Sequence, residues 1–301
     1  MRTRDGVLWT LRVTWAVLPV LAGTAFSSLA AERSTSVHAV VVIEMWVIWL
    51  IALVALLVPS TVSLTTVRVL VPLPFVVTVL TLFTRSSLLV SNRPSVVETA
   101  LAAAGSIVVL GLAYSAVVGR AFVQGSAYGD EARLPLRAPG ALVFGPIPLL
   151  WLVVVTGALV PPILLAAQAW VMGIISLVIG IPATYFGLHV LHRLSRRWLV
   201  FVPAGIVVHD HLVLADSIMV RRVSLEAVAP APADTDAEDL TGNALGLALE
   251  LRLRDDTPIL LAGKPGAASG TPKVVRSLMV TPSRPGEVLA EAARRKLRIS
   301  N

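Results

Sequence analysis

An ionisable side chain inside an apolar run is the first place to look for chemistry, because burying its charge at membrane depth is costly. Glu44 stands in such a run, between Val40, Val41, Val42 and Ile43 on one side and Met45, Trp46 and Val47 on the other. A carboxylate there can lie beside a solute pathway, pair with a neighbouring helix or reach the outer interface. His209-Asp210-His211 has metal-ligand residue types, but adjacent strand residues point to opposite faces and two histidines cannot fill a tetrahedral shell. A strand end or turn is the expected role. His189 and His192, three apart, share a helix face, yet no second pair completes a haem or metal site. Gly125-Ser126-Ala127-Tyr128-Gly129 has the glycines of a nucleophile elbow with its serine misplaced. Asp130 and Glu131 are the nearest approach to an acidic pair for chemistry on a lipid-linked substrate, and solvation is their simpler reading. With no HExxH, P-loop or GxGxxG run, no catalytic, metal or cofactor residue is assigned and no cofactor is expected.

Arg193, Arg196 and Arg197 form the densest basic cluster. At a membrane surface each can gain ~1 kcal/mol from anionic lipid, so the three are candidate lipid contacts. The net charge of +7 does not point to nucleic acid. Of the 25 Lys and Arg, 11 precede Ser195 against 6 of the 18 Asp and Glu, so most of the surplus lies between apolar runs, where it sets topology. Cysteine is absent, which excludes disulfides and thiolate chemistry.

Residues that are 56% hydrophobic and only 14% charged imply a membrane protein, and the elements that carry these side chains follow from the runs themselves. A bilayer core takes roughly 20 apolar residues per helix. Such runs occur at 8–29, 39–58, 67–83 and 100–118. Ala141 to Val190 spans 50 residues without Asp, Glu, Lys or Arg, too long for one helix, and Pro161-Pro162 is the natural break. Spans five and six are therefore expected at 141–160 and 163–190. Pro72 and Pro74 interrupt the third span. Trp46 and Trp49, three apart, are expected to pack against a neighbour.

The loops give the orientation. One side holds Arg2, Arg4, Arg12, Arg68, Arg120, Arg133, Arg137, Arg193, Arg196 and Arg197, the other only Arg33, Arg85 and Arg93. By the positive-inside rule both termini are cytosolic. Arg2, Arg4, the first apolar run and Ser28-Leu29-Ala30-Ala31 also fit a secretory signal, whose cleavage would leave five spans.

After Arg197 the texture changes to short alternating segments, which predicts a soluble β-rich domain over 196–301 beside a transmembrane domain over 1–195. Leu245, Leu247, Leu249, Leu251 and Leu253 alternate with Glu250, Arg252 and Arg254, so one face is core and one wet. Asp255-Asp256-Thr257 is expected to turn this strand into a hairpin with 258–262. Further strands are expected at 198–202, 206–209, 218–228 and 274–280, with Ala204-Gly205 as a turn and loops at 229–243 and 263–273. A closing helix follows Pro285, with Val288, Leu289, Ala292, Ala293 and Leu297 as its apolar stripe and Glu291 able to pair with Arg294 or Arg295.

Three segments, 200–208 (VFVPAGIVV), 220–228 (VRRVSLEAV) and 281–289 (TPSRPGEVL), in an order of several strands and one closing helix, resemble bacterial pleckstrin-homology-like (PH-like) domains tethered to membrane helices in actinobacterial proteins. The resemblance covers about 196–299. It implies a binding or assembly module and supplies no catalytic residue. The predicted fold class is a membrane α-helical bundle of six transmembrane helices plus a small cytosolic β-rich PH-like domain closed by a C-terminal helix. The expected function is a scaffold or accessory subunit in the cell membrane. Its partners would be the lipid bilayer and a protein, or a second copy, bound through 196–301. The alternatives are a transporter or channel subunit with Glu44 near its pathway and a membrane enzyme acting on lipid-linked substrates.

Overall fold

A computed structural model describes residues 2–28, 31–86, 94–263 and 270–300. Of the expected features, Leu29 and Ala30 of the signal-like site, Arg93 and most of the 263–273 loop lie outside these residues. The chain forms two compact units, Met1–Phe122 with Leu150–His189, and Val123–Leu149 with Val190–Asn301.

The first unit is helical. Among the described residues six helices are long and apolar enough to cross a membrane: Asp5–Ser27, Thr35–Leu57, Thr61–Phe83, Val96–Ala113, Pro146–Ala166 and Trp170–Ser195. The first two are α1 (Arg2–Ser27) and α2 (Thr35–Leu57). The third is two pieces, α3 (Thr61–Leu70) and α4 (Pro72–Ser86), separated where Pro72 has no amide proton to donate. α5 (Val96–Ala113) opens on a capping box, with the Glu98 amide donating to Ser95 Oγ at 3.1 Å and the Ser95 amide to Glu98 Oε2 at 2.8 Å. It ends at Ala113, capped by Tyr114 and short of the expected 118, and a separate α6 (Ala116–Gln124) follows.

Short α7 (Gly140–Phe144) precedes α8 (Pro146–Ala166), and α9 is Trp170–Ser195. The break between spans five and six is not at Pro161-Pro162, through which α8 runs on. It falls at Gln168, which adopts a left-handed φ of 61° while the Ala167, Gln168 and Ala169 amides donate to carbonyls of Ile163, Leu165 and Leu164. The helix continues through both prolines, and the left-handed residue ends it. α8 and α9 meet at glycines. A Cβ placed on Gly180 would lie 2.5 Å from the Gly157 carbonyl oxygen and 3.0 Å from its Cα. Small residues at such a crossing let backbones approach.

The second unit is built from two four-stranded sheets. One has the order β1 (Ala132–Pro135), β2 (Trp198–Val202), β3 (Gly205–His209), β4 (Ile218–Arg221), antiparallel throughout. The other has the order β5 (Leu225–Pro230), β7 (Leu249–Leu261), β8 (Thr271–Val280), β6 (Glu238–Asp239). α10 (Pro285–Arg294) contributes Val288 and Ala292 to the core between Leu199, Phe201, Ile206, Leu249, Leu251 and Leu278.

Five features differ from expectation. The β unit does not begin at 196, because β1 pairs with β2 along Ala132↔Phe201 to Pro135↔Trp198 and buries Ala132, Leu134 and Leu136. Its chain leaves after β1, makes α8 and α9, and returns as β2. The 218–228 segment is two strands in different sheets, divided at Arg222–Ser224. The leucine strand starts at Leu249, leaving Leu245 66% and Leu247 55% exposed, because Gly246 takes a φ of +123° that ends the alternation. Asp255-Asp256-Thr257 stays within β7 as a register shift between Arg252 and Thr257, and the hairpin is β7–β8. Glu250, placed on the wet face by its period, is buried beside Arg252.

Candidate functional site

In the helical unit the side chain that the sequence singles out lines a cavity. Glu44 sits mid-turn on α2, opposite residues of α1, α4 and α8, around a space of about 530 Å³. Trp15, Phe26, Trp46, Trp49 and Pro74 supply much of the wall, which is overwhelmingly apolar. Two reciprocal bonds brace it, Trp15 Nε1 donating to the Trp49 carbonyl and Trp49 Nε1 to the Trp15 carbonyl, both at 3.0 Å. Trp46 meets Trp49 edge-to-face at 5.5 Å between centroids. The Trp15 and Trp49 indoles thus use their donors on backbone and leave ring faces for the wall.

Against this wall, Glu44 Oε1 is buried and accepts no hydrogen bond. A buried acceptor without a donor costs about 1–3 kcal/mol, so a molecule that brings a donor to this oxygen recovers that penalty while the aromatic wall buries its apolar body. The volume is within the range of about 300–1,000 Å³ usual for small-molecule sites.

Two other ionisable groups of the helices that the sequence brings out are Glu98 and Arg68. Glu98 is spent in the capping box. Arg68 is in α3, its Nε buried without a partner and its carbonyl accepting from the Tyr114 hydroxyl at 2.7 Å.

In the β unit the three candidate arginines separate. Arg193 and Arg196 are exposed, with Arg193 Nη2 donating to the His211 carbonyl at 3.2 Å. Arg197 is only 2% exposed and cannot meet a lipid headgroup. Its Nε and Nη2 donate to the two oxygens of Asp210 at 2.8 and 2.6 Å, and Nη1 donates to the Arg137 carbonyl at 2.6 Å. The sequence carried a signal for this pair. With Ala204-Gly205 as the turn, Trp198 faces His209, and one further step of that register sets Arg197 against Asp210.

The flanking histidines are held by packing. His209 stacks on Trp198 at 4.9 Å, its Nδ1 is 2.7 Å from Ser217 Oγ, and His211 meets it edge-on at 4.4 Å. Burial, followed by the nearby His211 and Arg196, pushes the His209 imidazole down to about 4. Arg133 lies over the opposite face of this layer, 5.7 Å from the Trp198 ring centroid. Among the described residues no group of three or more His, Cys, Asp or Glu is placed to hold a metal.

Asp130 and Glu131 are each engaged by an arginine. Glu131 binds Arg133 at 2.9 Å, and the Asp130 carbonyl accepts from Arg295. Glu291 takes both partners that its spacing offered, Arg294 and Arg295, which hold its carboxyl below the usual range against the opposing effect of burial. Comparison with protein-family models, curated proteins and solved structures finds no match for the chain.

Proposed function

We propose that the chain is a multi-pass protein of the cell membrane, with both termini cytosolic, that binds a lipophilic ligand carrying a hydrogen-bond donor in the cavity beside Glu44. The observation that carries this reading is the buried, unpartnered Glu44 Oε1 facing an aromatic-walled space of about 530 Å³. A cationic amphiphile fits it best, because an ammonium group supplies both the donor and the countercharge and its chain matches the wall. This is the binding step that a transporter or channel subunit with Glu44 in its pathway would need.

The test uses the full-length protein in nanodiscs and follows tryptophan fluorescence, since three cavity residues are indoles. Dodecylamine, dodecanol and dodecanoate present one chain with three heads. Dodecylamine is expected to give a saturable change that Glu44→Gln weakens at least about tenfold, equivalent to about 1.4 kcal/mol, and dodecanoate none. Identical dodecylamine titrations for wild type, Glu44→Gln and Glu44→Leu would remove the basis for the reading.

A second reading, the scaffold or accessory subunit, is favoured by an apolar strip on the β unit. Pro258 pairs with Val274 and Leu260 with Pro272, so the four share the outward face of the β7–β8 ribbon, with Val274 62% and Leu260 39% exposed. Two four-stranded sheets and a closing helix support the PH-like resemblance and, with it, a module for a protein partner or self-association. Crosslinking in native membranes tests it. A specific partner band that disappears in Leu260→Glu and Val274→Glu supports a scaffold, and a band unchanged in both rejects this surface.

A further inference from the structure

The β unit has a second exposed apolar feature, and its position in the fold identifies what covers it. Leu245 and Leu247 are 66% and 55% exposed in a loop that is not slack. Gly242, Asn243 and Gly246 all take positive φ, at 61°, 60° and 123°. Thr241 accepts from the Asn243 amide through Oγ1 at 3.1 Å and from the Ala244 amide through its carbonyl at 3.3 Å. Arg137 Nη1 donates to the Leu245 carbonyl at 3.1 Å. A loop tied at these points holds its leucines outward by construction.

Two independent observations place this loop at the end of the β unit from which α8 departs. The first is contact: the Gly140 amide donates to the Asn243 carbonyl at 3.4 Å, and a Cβ on Gly140 would meet Leu245 Cγ at 3.3 Å. Gly140 begins α7, and the apolar α8 starts at Pro146 after one helical turn. The second is register. β2 leaves α9 at Trp198 and reaches its far end at Pro203, where Gly205 faces Arg221. Leu249 faces Val280, and the following Thr281 and Pro282 pair with Arg137 and Leu136 just before α7, so residues before Leu249 lie at the α8 end. Phe144, 81% exposed, lies on α7 at the same end, and the exposed Arg137 after β1 and Arg193 and Arg196 before β2 carry charge suited to anionic headgroups.

From this juxtaposition we propose that the 242–247 loop, with Phe144, is a membrane-inserting wedge that seats Leu245 and Leu247 at the headgroup–acyl boundary of the bilayer that α8 enters. The occupant of this apolar tip is lipid. One short helix covers about 8 Å at 1.5 Å per residue, comparable to the thickness of one interfacial layer, so the leucines reach lipid without displacing the β core. The proposal is independent of the Glu44 cavity.

The chain has no cysteine, so single-site labelling has no background. Leu245→Cys, Leu247→Cys and Val223→Cys in the full-length protein are each labelled with an environment-sensitive nitrobenzoxadiazole dye and reconstituted in nanodiscs of phosphatidylcholine and phosphatidylglycerol. Val223 is 77% exposed in the β4–β5 turn, at the far end of the sheet, and serves as the aqueous reference. The expected result is blue-shifted emission at 245 and 247, quenched by lipids spin-labelled high on the acyl chain, with water-like emission at 223. Emission at 245 and 247 equal to that at 223 would overturn the proposal. Blue-shifted emission that spin-labelled lipids leave unquenched would also overturn it, because protein would then cover the leucines. The two sites are read separately, so a defect in one variant leaves the other decisive.

Discussion

Strand β1 makes a quantitative claim about where the β unit starts. A fragment of residues 196–301 lacks Ala132, Leu134 and Leu136, which are 8%, 2% and 8% exposed, and leaves β2 with a bare edge over Leu199 and Phe201. Two buried leucines at about 1.5–3 kcal/mol each, with the alanine and the ladder bonds, amount to roughly 5 kcal/mol. That is a large share of the 5–15 kcal/mol typical of a domain. The Leu136 amide donates to the Arg197 carbonyl at 3.0 Å, so the strand ends are adjacent and a short Gly/Ser linker can replace the two-helix excursion. The comparison is therefore between 196–301 and residues 123–139 joined by that linker to 196–301, each unfolded in urea and followed by circular dichroism. With slopes of about 1–3 kcal/mol per molar, the joined fragment is expected to unfold at least about 2 M later, or the short one to be unfolded in buffer. Coincident midpoints would refute the assignment of β1 to this core.

The buried Arg197–Asp210 pair predicts that Arg197→Met costs about 3–5 kcal/mol by stranding the carboxylate, and that Arg197→Met with Asp210→Leu recovers much of it, measured on the joined fragment. His209 is neutral in the fold below its unfolded value of about 6.5, so the unfolded chain binds the extra proton and stability is lost as pH falls from about 6.5 through about 4. Discounted for its partial exposure, the loss is about 1–2 kcal/mol between pH 7.5 and 4.5; it is read as the difference between wild type and His209→Gln, and equal pH slopes would exclude it. Gly180→Ala drives a methyl against the backbone of Gly157, which cannot rotate away, and is expected to destabilise the α8–α9 crossing by about 1–3 kcal/mol in detergent unfolding.

Runs of apolar residues as long as a bilayer is thick revealed the six long helices, short Val/Ile/Leu-rich segments revealed β2, β3 and β8, and a helical apolar stripe revealed α10, because each signal lies within one element. What escaped depends on distant partners or single dihedral angles. Ala132–Pro135 has the texture of a loop, and its strand character exists only through a partner two helices later. Leu245 and Leu247 keep the period of the strand they precede, and one glycine dihedral removes them from it. Arg193, Arg196 and Arg197 are indistinguishable by type, and only the β2–β3 register selects the last for burial. Glu44 was legible as the odd residue in an apolar run, whereas the cavity beside it needs side chains from several helices and has no linear signature.

The split of the first sheet around α8 and α9 also sets an order of events during synthesis. β1 leaves the ribosome before the segment of two helices long and apolar enough to cross a bilayer, and its partner β2 leaves after it. The pairing of β1 with β2 requires both ends of that segment on the same face, so it must cross an even number of times. A nascent chain that inserted only one of the two helices would strand β1 across the membrane from β2. Under the membrane reading proposed above, a chain that inserted one of these helices alone could not close the sheet and would present an open β2 edge to proteolysis and to edge-to-edge aggregation.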